Sequence, residues 1–251
     1  MSYEEPLAGG NASGAVVRID GTVRKPWTAS TASVVSFVNA LRAAGVDAPT
    51  PEGRDEQGRQ IQEFVPGTLA IEAGPLSPAE FRRVGAMVRA IHDASAAYIP
   101  PADAVWETAI PAPGAELVCH NDLAPWNLLV GDRWVFIDWD AAAPSTRVWD
   151  LAYAAQAFAL SDAALDPLLA AANLAAFVDG YRADEKMRRA LPEAMADRAA
   201  AMYELLRTSY ATGKEPWATM FASGHGDHWS TVNSFVSRHR DLWRAALLPV
   251  A

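Results

Sequence analysis

An internal disulfide is closed to this chain, because its 251 residues include a single cysteine, Cys119. A lone thiol also excludes a zinc site built on several cysteines and leaves Cys119 as a small buried hydrophobe. Nowhere do eighteen apolar residues follow one another, and Met1-Ser-Tyr-Glu-Glu-Pro6 has neither a basic n-region nor an apolar h-region. No membrane partner is expected, and the reading is of a cytoplasmic protein. Basic residues are scarce as well: 21 Lys and Arg stand against 30 Asp and Glu, a net charge of −9. Binding to a nucleic-acid backbone relies on clustered cations, so no nucleic-acid partner is expected. An acidic surface would instead tolerate a cationic substrate. With 51% hydrophobic and 20% charged residues the chain is globular, long enough for one sizeable domain or two packed lobes. No internal repeat appears.

What is present concentrates in one stretch, Val118-Cys-His-Asn-Asp-Leu-Ala-Pro-Trp-Asn-Leu-Leu-Val130, followed by Trp134-Val-Phe-Ile-Asp-Trp-Asp140. Two apolar runs flanking Gly131-Asp132-Arg133 predict a hairpin with a polar turn. His120, Asp122 and Asn127 precede its first strand, and Asp138 follows its second. Two carboxylates and a carboxamide are thereby brought to one end of a rigid stand, and hard oxygen ligands of that kind suit Mg²⁺. Singly, these residues read as turn formers and a strand-end cap. Together they supply the parts of phosphoryl transfer: a carboxylate for the attacking hydroxyl and oxygens for a metal on the phosphates.

The pattern His120-Asn-Asp-Leu-Ala-Pro-Trp-Asn127, with Ile137-Asp-Trp-Asp140 and Trp149-Asp-Leu-Ala152, resembles the aminoglycoside phosphotransferase family, which includes choline-kinase-like small-molecule kinases. The resemblance implies an α+β, two-lobed protein-kinase-like fold. A small N-terminal antiparallel sheet plus one helix would occupy residues 1–66, and a mainly helical C-terminal lobe residues 67–251. It makes Asp122 the catalytic base, His120 an organiser of the loop, and Asn127, Asp138 and Asp140 the metal ligands. ATP or GTP would be the donor and Mg²⁺ the cofactor. The acceptor would be a small-molecule hydroxyl, on an aminoglycoside or another sugar-containing or nucleoside antibiotic, and the protein a monomer or weak homodimer. Rival readings are a kinase of an amino alcohol or sugar metabolite, a nucleotide-binding pseudoenzyme, and a glycosyltransferase using Asp138-x-Asp140. Only eleven residues separate Asp138 from Asp150, and Asn121 stands before the catalytic Asp, which disfavours a phosphorylation-controlled protein kinase.

Toward the N-terminus, Leu7-Ala-Gly-Gly-Asn-Ala-Ser-Gly14 reads as a glycine-rich loop feeding a hairpin, with Gly9, Gly10, Asn11, Ser13 and Gly14 as nucleotide-binding candidates. The second strand, Thr22-Val-Arg-Lys25, should carry the cation that meets the phosphates. Alternation with Val23 favours Lys25, whereas the resemblance to small-molecule phosphotransferases implies Arg24, two residues before Pro26; the other is expected to face solvent. Apolar spacing at Val34, Phe37, Val38 and Leu41 predicts a helix over 28–44. Family members offer a helix acid to the strand cation, yet no Asp or Glu lies between Thr28 and Gly45. A carboxylate from elsewhere, or Ser33, Ser36 or Asn39, would have to replace it. Residues 47–59 read as a polar loop and Gln60 to Val65 as a strand. By the resemblance, Glu63 to Val65 form the hinge whose backbone meets the nucleobase.

Further on, Ser77-Pro-Ala-Glu80 is a capping box that opens a helix running to about Tyr98, with His92 as a structural residue. Asp150 reads as the N-cap of a helix over Leu151 to Leu160. Helices are expected over 161–181, 191–212 and 229–248. His225 and His228 lack a third ligand and read as a loop.

Overall fold

Alternation along the N-terminal strands sets the first layer. A computed structural model describes residues 4–7 and 16–248. It places β1 (Glu5–Pro6), β2 (Val17–Ile19), β3 (Thr22–Lys25), β4 (Pro51–Arg54) and β5 (Gln60–Glu63) in one antiparallel sheet of order β1-β2-β3-β5-β4. Val23 and Lys25 point to the buried face of β3, as a period of two requires. Strand β4 departs from the loop expected over 47–59. It is an exposed edge strand begun by a proline, where a missing N–H breaks no ladder.

Helix α1 (Thr31–Ala43) buries Val34, Phe37, Val38 and Leu41. The connection after residue 95 folds back over α1: Tyr98 Oη donates to Ser36 Oγ at 3.1 Å, and the Val105 N–H donates to Ser33 Oγ at 2.8 Å. Those two serines are therefore engaged by a covering segment. They do not serve the strand cation.

The second lobe begins with β6 (Thr68–Leu69), which pairs with the expected hairpin, β8 (Leu128–Val130) and β9 (Val135–Phe136). A second small sheet joins β7 (Leu117–Cys119) to β10 (Ala143–Ser145). The remainder is helical: α2 (Pro78–Ser95), α3 (Arg147–Ala159), α4 (Pro167–Tyr181), α5 (Glu185–Thr212), α6 (Trp217–Met220), a π-helical turn at Phe221–His225, α7 (Gly226–Arg238) and α8 (Arg240–Leu247). The capping box opens α2 as expected, with both reciprocal bonds made. Helix α5 starts earlier than 191 because Asp184 caps it and Pro192 is absorbed inside it. The C-terminal helix is two, broken at His239. Among the described residues no helix is long and apolar enough to cross a membrane.

At the hairpin turn Arg133 reaches back across the lobes, pairing with Asp47 at 2.5 Å and with the Glu63 carboxylate. Glu63 also accepts from Thr50 N–H and Oγ1. Its side chain thus joins the lobes.

Within the second lobe α2 and α4 touch backbone to backbone. A Cβ on Gly85 would lie 2.0 Å from Phe177 O, and one on Gly180 2.0 Å from Arg82 O. Overpacking that cannot relax costs about 1–3 kcal/mol and occasionally more. Gly180→Ala is accordingly expected to lower stability by ~3 kcal/mol, read as a lower urea midpoint with unchanged slope. A midpoint equal to the parent's would show that the two helices are free to separate.

Candidate active site

The segment between β7 and β8 is held by a buried carboxylate. Asp150 lies inside the first turn of α3, and its Oδ1 accepts the Asn121 N–H at 2.8 Å while Oδ2 takes His92 Nε2 at 2.9 Å. Its expected role as helix cap is corrected: Thr146 caps α3 by accepting from Trp149 N–H, which leaves Asp150 free to anchor the loop. His92, fully buried, also meets Tyr181 Oη at 2.9 Å, a structural position.

Asn121 adopts a left-handed conformation, φ 63°, which asparagine tolerates. Its Nδ2 donates to the carbonyls of Ala141 and Ala143 at 3.1 and 3.2 Å, stitching the loop to the segment after Asp138. His120 does the same from the other side. Its Nε2 donates to Ile137 O at 3.1 Å, and its Nδ1 accepts the Asp122 N–H at 3.3 Å. Burial pushes the imidazole pKa down, so it is neutral and holds this tautomer.

Asp122 thereby projects beside Asn127. The Asn127 Nδ2 donates to Asp122 Oδ2 at 2.8 Å, and Tyr153 Oη donates to Oδ1 at 2.9 Å. Desolvation pushes the Asp122 carboxyl up to about 7, aided by the charge of Asp138 and opposed by Tyr153, Asn127 and Arg198. The Asn127 amide nitrogen is thus committed to Asp122, while among the described residues its Oδ1 has no hydrogen-bond partner.

Asp138 sits just beyond β9 in a left-handed conformation, φ 59°. Lys25, 4% exposed, reaches across from β3 to Asp138 Oδ1 at 3.2 Å and Asp140 Oδ1 at 2.6 Å. Burial pulls its pKa down, but the two carboxylates outweigh that and hold it above the usual value. Arg24 points to the opposite face. It lies along Thr22 and Asp55 and is not free in solvent, because the turn after β4 folds against it. Asn127 Oδ1, Asp138 and Asp140 form an all-oxygen, net anionic donor set, the chemistry that Mg²⁺ takes. The residues present fit that ion.

At the predicted hinge the Glu63 and Phe64 N–H groups bond to Thr50 O and Gly21 O, whereas the Val65 N–H has no partner among the described residues. Gly9, Gly10, Asn11, Ser13 and Gly14 lie outside the described residues. Tyr153, Arg198 and Trp229 were not legible as site residues. Tyr153 stacks on Trp229 with centroids 6.3 Å apart, and the Arg198 guanidinium lies 4.2 Å from the Tyr153 ring centroid. The position of Tyr153 three residues after Asp150, one turn along α3, was the single signal available.

Comparison with known proteins places the chain in a family and a fold. The model of the phosphotransferase enzyme family matches residues 101–190, the stretch that carries the loop, the hairpin and α3. The trifolitoxin immunity protein of Rhizobium leguminosarum bv. trifolii is 30% identical over 276 residues, spanning 98% of this chain and 100% of its own length. A microcompartment-associated aminopropanol kinase superposes with a TM-score of 0.69 at 16% identity, over 95% of this chain and 92% of its own. Amicoumacin kinase, solved with AMP-PNP, Ca²⁺ and Ami, gives a TM-score of 0.69 at 13% identity, over 99% and 90%. The fold is the two-lobed, protein-kinase-like α+β fold.

Asp122 has a consequence for stability. Its folded pKa is raised from 3.8 to about 7, so its contribution is most favourable below the unfolded value and is lost as pH rises through the folded one. Full burial would make that loss ~4 kcal/mol, and the partial exposure of Asp122 reduces the expectation to ~2 kcal/mol. Asp122→Asn removes the titration. The variant is expected to match the parent in thermal stability near pH 4 and exceed it near pH 8; an offset that does not change with pH would contradict this.

Proposed function

The chain belongs to the phosphotransferase enzyme family, and we propose that it transfers the γ-phosphoryl group of ATP or GTP to a hydroxyl of a small molecule, foremost an antibiotic. The observation that carries this reading is the convergence of Asp122, Asn127, Asp138, Asp140 and Lys25 on one end of the β8–β9 hairpin, across the junction of the two lobes. Support for a nucleotide donor comes from the likeness to a kinase solved with AMP-PNP. Support for an antibiotic acceptor comes from the 30% identity to an immunity protein. An amino alcohol is the second reading, favoured by the likeness to an aminopropanol kinase.

In the proposed reaction Asp122 accepts a hydrogen bond from the acceptor hydroxyl and orients its oxygen toward the γ-phosphorus. The new O–P bond forms as the bond to the β-phosphate bridging oxygen breaks, nucleoside diphosphate departs, and the hydroxyl proton passes to Asp122. A carboxyl lifted to about 7 is a stronger proton acceptor than an ordinary aspartate yet still substantially ionised at neutral pH. Mg²⁺, when bound at Asn127, Asp138 and Asp140, would neutralise phosphate oxygens. Lys25 contributes a fixed positive charge beside them. We assign the nucleobase to the Val65 N–H and the neighbouring Glu63 backbone, and the lobe boundary to Pro66, giving lobes 1–66 and 67–251.

The test is a phosphorylation screen of antibiotics and amino alcohols with ATP and GTP in parallel. Phosphate transfer to one of these is expected, and none to any hydroxyl compound would refute the reading. With the acceptor in hand, Asp122→Asn should lower kcat by roughly 10²-fold or more with little change in nucleotide affinity. Asp138→Ala should abolish the magnesium dependence of nucleotide binding in a calorimetric titration. Lys25→Ala should raise the nucleotide KM, whereas Arg24→Ala should leave it near the parent value. Equal, unaltered constants for both would place the phosphates away from β3.

A further inference from the structure

The strand cation of this chain has no acid to meet on α1, whose Val34, Val35 and Val38 line one small cavity with Lys25, Trp139 and Asp140. A buried ammonium on a flexible four-carbon stem needs a fixed counter-charge to be held in one place. Among the described residues two carboxylates reach it, and the shorter contact is to Asp140, 2.6 Å against 3.2 Å for Asp138. Asp140 is fixed in its turn. It belongs to a 3₁₀ turn, Trp139–Ala141, whose Trp139 indole N–H donates to Phe136 O at 3.0 Å and whose ring packs on Phe37 of α1.

We propose that Asp140 is the positioning residue for Lys25, standing in for the absent acid of α1, and that orienting this cation toward the nucleotide phosphates, more than ligating metal, is its main contribution. The inference rests on the phosphotransferase reading above. It divides the labour of the Asp138-Trp139-Asp140 triplet. Asp138, in its left-handed turn beside Asn127, keeps the metal side, and Asp140 faces the β3 side. It also explains how α1 can offer only valines to the cavity that Lys25 lines: the counter-charge has moved from helix to loop.

The two roles for Asp140 predict opposite signs in one measurement. Calorimetric titration of the full chain with AMP-PNP would be run with Mg²⁺ and again in EDTA. A carboxylate that serves only a metal repels the polyphosphate once the metal is gone, so its removal would tighten binding in EDTA. A carboxylate that holds the phosphate-contacting lysine leaves that lysine disordered when removed, so binding weakens in EDTA too. Asp140→Ala is expected to weaken AMP-PNP binding about 10-fold in both conditions. Asp140→Ala combined with Lys25→Ala should be no weaker than Lys25→Ala alone, since the two act as one unit.

Rescue supplies the independent arm. Val35 is partly exposed in the second turn of α1, and Val35→Glu in the Asp140→Ala background should recover several-fold of the lost affinity by restoring an acid on the helix. Tighter EDTA binding by Asp140→Ala, additive losses in the double variant, or no recovery with Val35→Glu in a variant that unfolds at the parent's temperature would each overturn the assignment. If the parent chain binds AMP-PNP in neither condition, the phosphotransferase reading falls and this inference with it, an outcome distinct from failure of the variants alone.

Discussion

Everything at the site hangs on the buried carboxylate of Asp150. Its two oxygens are spoken for by a backbone N–H and an imidazole, so the turn at Asn121 cannot slide along α3 without leaving a buried charge unpaired. That penalty is several kcal/mol for a group with no water to replace its partners. Because Asn121 in turn donates to Ala141 and Ala143, the register of the loop fixes the register of the segment after Asp138. One anchor therefore sets two distances at once, from Asp122 to Asn127 and from the loop to the metal side. His120 repeats the constraint through Ile137 O, one residue before Asp138.

The site also has an uneven charge distribution, and it is the geometry that keeps it tolerable. Asp122, Asp138 and Asp140 lie close together, with Lys25 bridging the latter two and Tyr153 and Asn127 donating to the first. Burial raises the Asp122 pKa first of all, the charge of Asp138 adds to it, and the two donors only partly offset the rise. Functional positions commonly carry such local destabilisation, which the packed remainder of the fold must offset. Here the offset is visible in the apolar core of α2, α3, α4 and α5, where Leu151, Leu174, Phe177 and Leu191 are fully buried.

Much of this was readable from residue order, for a physical reason. The loop and hairpin are local: His120, Asp122, Asn127 and Asp138 fall within one short stretch whose turn chemistry and apolar runs determine their relative placement. The capping box at Ser77 and the alternation that buries Lys25 are local in the same sense. What escaped depends on partners far along the chain. Strand β4 exists because β5 offers an edge, not because Pro-Glu-Gly-Arg favours extension. Asp150 looked like a cap because its true partner, the Asn121 N–H, is 29 residues away. Ser33 and Ser36 looked available to Lys25 until the 96–116 connection claimed them.

Arg198 shows how far such a partner can lie. It arrives from α5, 77 residues beyond Asn121, and is 6% exposed, with Nη2 donating to Asn121 O at 3.4 Å and Nη1 without a partner among the described residues. Burying a cation so sparsely hydrogen-bonded is unfavourable by itself, and desolvation duly lowers its pKa. Two features make the position tenable. Its flat guanidinium lies over the Tyr153 ring, where the π face attracts it, and its charge is felt by the carboxylates of Asp122 and Asp150. A lysine could supply the charge but not the planar contact with the ring. The guanidinium and the Trp229 ring both pack on Tyr153, holding the ring whose hydroxyl donates to Asp122. Asp122 is oriented from a helix that sequence order alone would never have connected to it.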